Sequence, residues 1–197
     1  DSEISTVEEL EGHRVSIGEE ESGTKQNALQ ILAAYGLNEK LVEEVSLNYT
    51  EAAKELENGT IDAFFCAAGV QTAAITNLAQ RTGIRFLNVD SAAAARLKKS
   101  YPVYDSCIIA AGTYPGQEED VSTVGVKAVL LASDSVSAEV VEELTALLFE
   151  EQQELDFALP VELITDADAA AAADGISVPF HKGAERYYES RGEKSEN

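Results

Sequence analysis

Gly12-His-Arg-Val-Ser-Ile-Gly18-Glu-Glu-Glu-Ser22-Gly23-Thr24-Lys-Gln-Asn-Ala-Leu-Gln-Ile-Leu32 is the stretch that decides how this chain folds. Arg14 to Gly18 reads as a short buried strand and Glu19 to Thr24 as a polar turn. Lys25 to Tyr35 then reads as an amphipathic helix, with Ala28, Ile31, Leu32 and Tyr35 at i, i+3, i+4 and i+7. The turn closes on Ser22-Gly23-Thr24, which leaves backbone N–H groups and two hydroxyls at a helix N-terminus. Such an end carries about +0.5 e and receives a carboxylate or phosphate. Ser and Thr also cap helices with no ligand present, so the motif alone reads either way. Its place after the carboxyl end of a strand, where open α/β sheets bind ligands, favours a binding surface. The spacing from Gly18 to Lys25 does not satisfy the phosphate-binding P-loop pattern.

The alternation continues outward from this unit. Gly36 ends the first helix, Val42 to Leu47 is a second strand, and Thr50 caps a helix that runs to Leu56 and stops at Asn58-Gly59. Ile61 to Ala67 is a third strand, followed by a helix carrying Ala74, Ile75 and Leu78. Ile84 to Val89 is a fourth, with Asp90 or Ser91 capping a helix to Lys99. Short strands alternating with helices of this length define β-α-β units and a largely parallel sheet. Beyond Pro102 the pattern thins. Asp105 to Ala111 is a strand, Gly112 to Gln117 a turn and Val121 to Ala132 an apolar, strand-like run. Ser137 then caps a helix with Val140, Val141, Leu144, Leu147 and Leu148 in one stripe. An Ala-rich tract at Ala169 to Ala173 and a helix near Ala184 to Glu189 follow. The fold class is α/β: one complete lobe with a parallel-rich sheet, plus part of a second lobe too poor in strands to build its own sheet. A short helix at Thr6 to Leu10 leads in.

Composition narrows the function. A net charge of −22 over 197 residues excludes the clustered cations that nucleic acid and anionic lipid require. No apolar run approaches the ~18 residues of a membrane span. With no methionine at all, the sequence reads as a processed form, an excised domain or a fragment, any signal segment having been removed. Cys66 and Cys107 lie in apolar runs and read as buried free thiols, a disulfide being the alternative. His13 and His181 are isolated, without nucleophile or paired metal-ligand spacing, so no catalytic residue, metal site or cofactor is expected.

A second loop mirrors the first. Ala68-Gly69-Val70-Gln71-Thr72 follows the third strand in the same sense, with Gly69 allowing close backbone approach and Thr72 placing a hydroxyl at another helix start. In a parallel sheet both loops emerge at one edge and can converge on one small ligand. Glu19, Glu20 and Glu21 before the first helix read as favourable charge at its positive end, or as a rim that disfavours anions.

Four segments, in this order, resemble the TAXI family of solute receptors of TRAP-type transporters. They are Gly12–Thr24, Ala68–Ile75, Ala111-Gly-Thr-Tyr114-Pro-Gly-Gln117 with Val121, and Pro179-Phe-His181 through Gly183–Tyr187. The resemblance covers residues 8 to 190. It implies a periplasmic-binding-protein-like fold of type II, with two α/β lobes joined by crossovers, and a small organic acid or amino acid held between them for delivery to the transporter's membrane subunit. On that basis residues 12–112 form the second, complete lobe, and 113–197 the crossover and C-terminal part of the first, whose N-terminal part is absent. An incomplete lobe would favour self-association. The implied location is extracytoplasmic. Ser22, Gly23 and Thr24 would hold a ligand carboxylate. Gly69, Gln71 and Thr72 would line the opposite wall, and Thr113 and Tyr114 would contact ligand or act as hinge. Gln71 stands where the family commonly has proline, Glu20 and Glu21 where it has small residues, and Lys182 where it has proline. Two other classes fit the architecture: a cytoplasmic effector-binding regulatory domain, and an enzyme holding phosphate on the Ser-Gly-Thr loop.

Overall fold

The computed structural model describes residues 2–150 and 176–195. These fall into two compact units, Asp1–Gly125 and Val126–Asn197. The Ala169–Ala173 tract lies outside the described residues.

The first unit is α/β with a parallel sheet. After a 3-10 turn at Glu8–Leu10, β1 (Arg14–Ser16) leads to α1 (Gly23–Ala34), β2 (Glu43–Val45) to α2 (Tyr49–Glu57), and β3 (Ala63–Phe64) to α3 (Ala73–Arg81). The strand order is β2-β1-β3, with both pairings parallel: Val15 lies opposite Glu44 and Ala63, and Ser16 opposite Val45 and Phe64. The chain moves from the central β1 to one side, then crosses back past it. A right-handed crossover in each direction requires helices on both faces. The order also makes the gap between β1 and β3 the topological switch point.

Local chemistry fixes each element. The apolar stripe of α1 is buried as read, with Ala28, Ile31 and Leu32 all at 8% exposure or less, and it covers Val15 and Ile17. Gly36, at φ +78°, ends α1: the N–H of Leu37 donates to the Leu32 carbonyl and that of Gly36 to Ala33. The start of α2 differs from the sequence reading. Asn48 is the cap, not Thr50, because its Oδ1 accepts from the Glu51 N–H at 2.9 Å while Glu51 accepts from the Asn48 N–H at 3.3 Å. Asp90 caps α4 (Ser91–Ser100), whose Ala93 and Leu97 pack with Ile31, Val89 and Tyr104 in a second cluster.

Ile84 to Val89 forms no strand. The Val89 N–H donates to the Ser122 carbonyl, but Ser122 returns its N–H to the Asn88 side chain at 2.8 Å, so no ladder propagates. β4 (Tyr104–Ile109) pairs with β5 (Val121–Val126), and the remainder of the run to Ala132 has no strand geometry.

At the amino edge of the sheet, Asp62 takes three hydrogen bonds from Arg14: backbone N–H at 2.9 Å, Nε at 3.2 Å and Nη2 at 3.0 Å. The Arg14 guanidinium holds the Asp62 carboxyl below its ordinary range, against a smaller opposing effect of burial. The native state therefore binds a proton less readily than the unfolded chain. The stabilisation is complete above the unfolded value of about 3.9 and is lost as pH falls through the lowered native value. Asp62→Asn should cost about 1 kcal/mol at pH 7, a figure reduced for partial solvation. In urea melts the gap between variant and wild type should close in acid, and a gap that widened there would contradict this pairing.

Among the described residues the second unit consists chiefly of α5 (Ala138–Glu150) and α6 (Lys182–Ser195). Ser137 caps α5 through its hydroxyl, which accepts from Val140 N–H at 3.3 Å. The predicted stripe is not buried as a whole: Val141 and Thr145 are covered, whereas Val140, Leu144 and Leu147 are 55%, 42% and 49% exposed. Gly183 gives α6 its closest approach to α5, so the contact follows the Val141–Thr145 face. Phe149 stacks on Tyr187 with centroids 5.6 Å apart, and Tyr188 meets it edge-on. Among the described residues no helix is long and apolar enough to cross a membrane.

Candidate functional site

The loop after β1 carries two residues in the left-handed region, Gly18 at φ +97° and Glu21 at φ +61°. These turn the chain so that Ser22 (φ −82°, ψ 154°) becomes the N-cap of α1. Its Oγ accepts from Lys25 N–H at 3.1 Å, which leaves the Ser22 O–H free to donate. The amides of Gly23 and Thr24 have no partner among the described residues. This is the donor set expected for an anion: two backbone N–H groups and a hydroxyl on the positive end of a helix.

Thr24 is 8% exposed, and its hydroxyl lies 2.5 Å from that of Tyr49. Tyr49 in turn donates to the Ala67 carbonyl at 2.9 Å, so the loops after β1 and β3 are joined side by side. Lys25 Nζ bonds both Glu20 carboxylate oxygens at 2.7 Å, and Ser46 Oγ donates to the same carboxylate at 2.8 Å. These bonds, Lys25 first and then Ser46, lower the Glu20 carboxyl from its ordinary range. Glu20 is thus a compensated charge, while Glu19 and Glu21 are exposed.

In the loop after β3, Gln71 sits at φ +61°. Proline, held near −65°, cannot follow that path, so the loop departs here from one with proline at this position. Thr72 is the N-cap of α3 but makes no side-chain capping bond: its hydroxyl donates to the Gly69 carbonyl at 2.7 Å. Its N–H donates to the hydroxyl of Tyr114 at 3.2 Å. Tyr114, 4% exposed, packs its ring on Phe86 with centroids 5.2 Å apart. Gln117 fixes that turn, accepting from Tyr114 N–H and donating through Nε2 to the carbonyls of Ile109, Ala110 and Glu119. Thr113 spends its hydroxyl on the Ala110 carbonyl at 2.6 Å.

Of the residues singled out from sequence, Ser22, Gly23, Thr24, Gly69, Gln71, Thr72 and Tyr114 lie on loops that hydrogen bonds join into one group. Thr113 lies on the same turn as Tyr114, but its hydroxyl bonds only within that turn, to the Ala110 carbonyl. Tyr49, Ser46, Lys25 and Phe86 were missed. Only Tyr49 left a signal, in its position directly after the true cap, Asn48. Ser16, at the carboxyl end of β1, is 1% exposed, and its hydroxyl has no partner among the described residues. The two cysteines form no disulfide. Cys66 is half-buried, and burial pushes its thiol up to about 11, with the neighbouring Thr72 side chain acting in the opposite direction. Cys107 is exposed on β4, contrary to the expectation of a buried thiol, because β4 leaves Ser106 to Ile108 uncovered.

The parallel α/β lobe thus carries two helix starts beside its switch point, and the first presents two backbone amides with no partner among the described residues. The chain belongs to the NMT1-like family, whose model matches residues 1–192. Among solved structures it is similar to the crystal structure of the periplasmic aliphatic sulphonate binding protein SsuA from Escherichia coli. The TM-score is 0.48 at 16% identity, over 96% of this chain and 49% of that one. The chain spans about half the length of that structure.

Proposed function

We propose that this chain is part of an extracytoplasmic solute-binding receptor, non-catalytic, that captures a small organic acid or amino acid and hands it to a membrane permease. The observation that carries the reading is the start of α1. Gly23 and Thr24 present amides that have no partner among the described residues, beside the Ser22 hydroxyl, on the helix that opens at the β1–β3 switch point. That seat suits a carboxylate. The complete lobe of this reading is 12–112, the second of the receptor, with 113–197 belonging to the crossover and the C-terminal part of the first lobe. The four motif segments named above further support a TAXI receptor serving a TRAP-type permease.

Calorimetry of the full-length receptor against organic acids, amino acids and cationic analogues tests the reading. A carboxylate should bind, and Ser22→Ala should weaken it about tenfold, the worth of a hydrogen bond to a charged group. Binding of cations alone, or a carboxylate indifferent to Ser22→Ala, would overturn the assignment.

A further inference from the structure

Tyr49 lies on α2, an element that supplies none of the residues singled out from sequence, yet its hydroxyl stands between the two loops of the site. A phenol has one proton. That proton goes to the Ala67 carbonyl at 2.9 Å, an acceptor that cannot donate. The Thr24 hydroxyl, 2.5 Å away on the other side, must therefore donate to Tyr49. The chain runs one way, from Thr24 through Tyr49 to Ala67, and such chains strengthen each bond by polarisation. The capping box of Asn48 and Glu51 fixes Tyr49 at the first position of α2. A second tie, Ser46 to the Glu20 carboxylate, joins the loop before α2 to the loop before α1.

We propose that Tyr49 is the positioning residue of this site. Its hydroxyl joins all three strand-to-helix loops of the sheet, so that the β1–α1 and β3–α3 loops open and close as one. It also accepts the hydrogen bond of the Thr24 O–H, leaving the Gly23 and Thr24 amides and the Ser22 hydroxyl as the donors an anion meets. The purpose of this device rests on the receptor reading; the coupling itself rests on the hydrogen bonds alone.

Backbone amide exchange of the full chain, with no ligand added, separates the two. Wild type is compared with Tyr49→Phe, Thr24→Val and Thr24→Ser in peptides spanning residues 17–27 and 65–76, with 91–100 in α4 as reference. Tyr49→Phe and Thr24→Val should each raise exchange about fivefold in both loop peptides, the worth of one net hydrogen bond. Thr24→Ser, which keeps the hydroxyl, should match wild type, and α4 should not change. A phenol that served packing alone would not have its effect reproduced by Thr24→Val. If Tyr49→Phe destabilises the whole unit, α4 exchange rises too, and the Thr24→Val and Thr24→Ser pair decides. Exchange that changes in one loop only, or a 65–76 peptide at wild-type rates in Thr24→Val, overturns the coupling. Failure of every carboxylate to bind would instead count against the receptor reading and leave this result standing.

Discussion

Gly18→Ala should destabilise the first unit by about 3 kcal/mol, a sum of backbone strain and overpacking. Two independent effects add. At φ +97° a side chain is strained whatever the space around it. The added Cβ would also lie 2.9 Å from both Cβ and Cγ2 of Thr24 and 3.1 Å from the Lys25 nitrogen. Thr24 cannot turn aside easily: it is buried, β-branched, and bonded to Tyr49. The backbone nitrogen cannot move without unwinding the first turn of α1. The substitution therefore strikes the fold and the site together, and urea denaturation should show a lower midpoint with an unchanged slope. A loss below about 0.5 kcal/mol, the range of an ordinary surface change, would mean that Thr24 does not sit on Gly18.

Gly183→Ala should have an effect of similar size, about 3 kcal/mol, in the second unit. A Cβ there would meet the Ala138 carbonyl oxygen, the Glu142 nitrogen at 2.7 Å and Val141 Cβ at 2.8 Å. Two of these are backbone atoms of α5, so the only relief is for the helices to separate. Separation breaks the stack of Phe149 on Tyr187 and lengthens the already loose contacts of Arg186 with Glu139 and Glu142, 3.5 and 3.9 Å. The chain has 7 tyrosines and no tryptophan, so near-ultraviolet dichroism reports tyrosine and phenylalanine packing directly. That signal should fall while far-ultraviolet helix content is largely kept. An unchanged near-ultraviolet spectrum would contradict the close helix approach at Gly183.

The sheet, its order of elements and the first loop of the site were legible because they depend on local signals. Apolar periodicity placed β1 and α1, Gly36 stopped the helix, and Ser22 capped it. The misreadings occurred where local signals compete or distant contacts decide. Asn48 and Thr50 are both good caps two residues apart, and only the reciprocal bond with Glu51 selects Asn48. Ile84 to Val89 has strand composition, but Asn88 spends its side chain on the β5 backbone. The stripe on α5 was found by period, yet Gly183 chose which side of it became buried. Tyr49 and Tyr114 act through hydroxyls that meet partners 18 to 42 residues away in sequence, and no spacing rule announces such bonds.

In the proposed receptor the start of α1 seats the ligand's carboxylate. Amide nitrogen and proton shifts of the full-length receptor, followed during titration with the carboxylate that binds in calorimetry, test it most directly. The largest downfield proton shifts should fall at Gly23 and Thr24, with smaller ones in Gly69–Thr72. Saturating binding that leaves the Gly23 and Thr24 amides unmoved, with its shifts elsewhere, would contradict it.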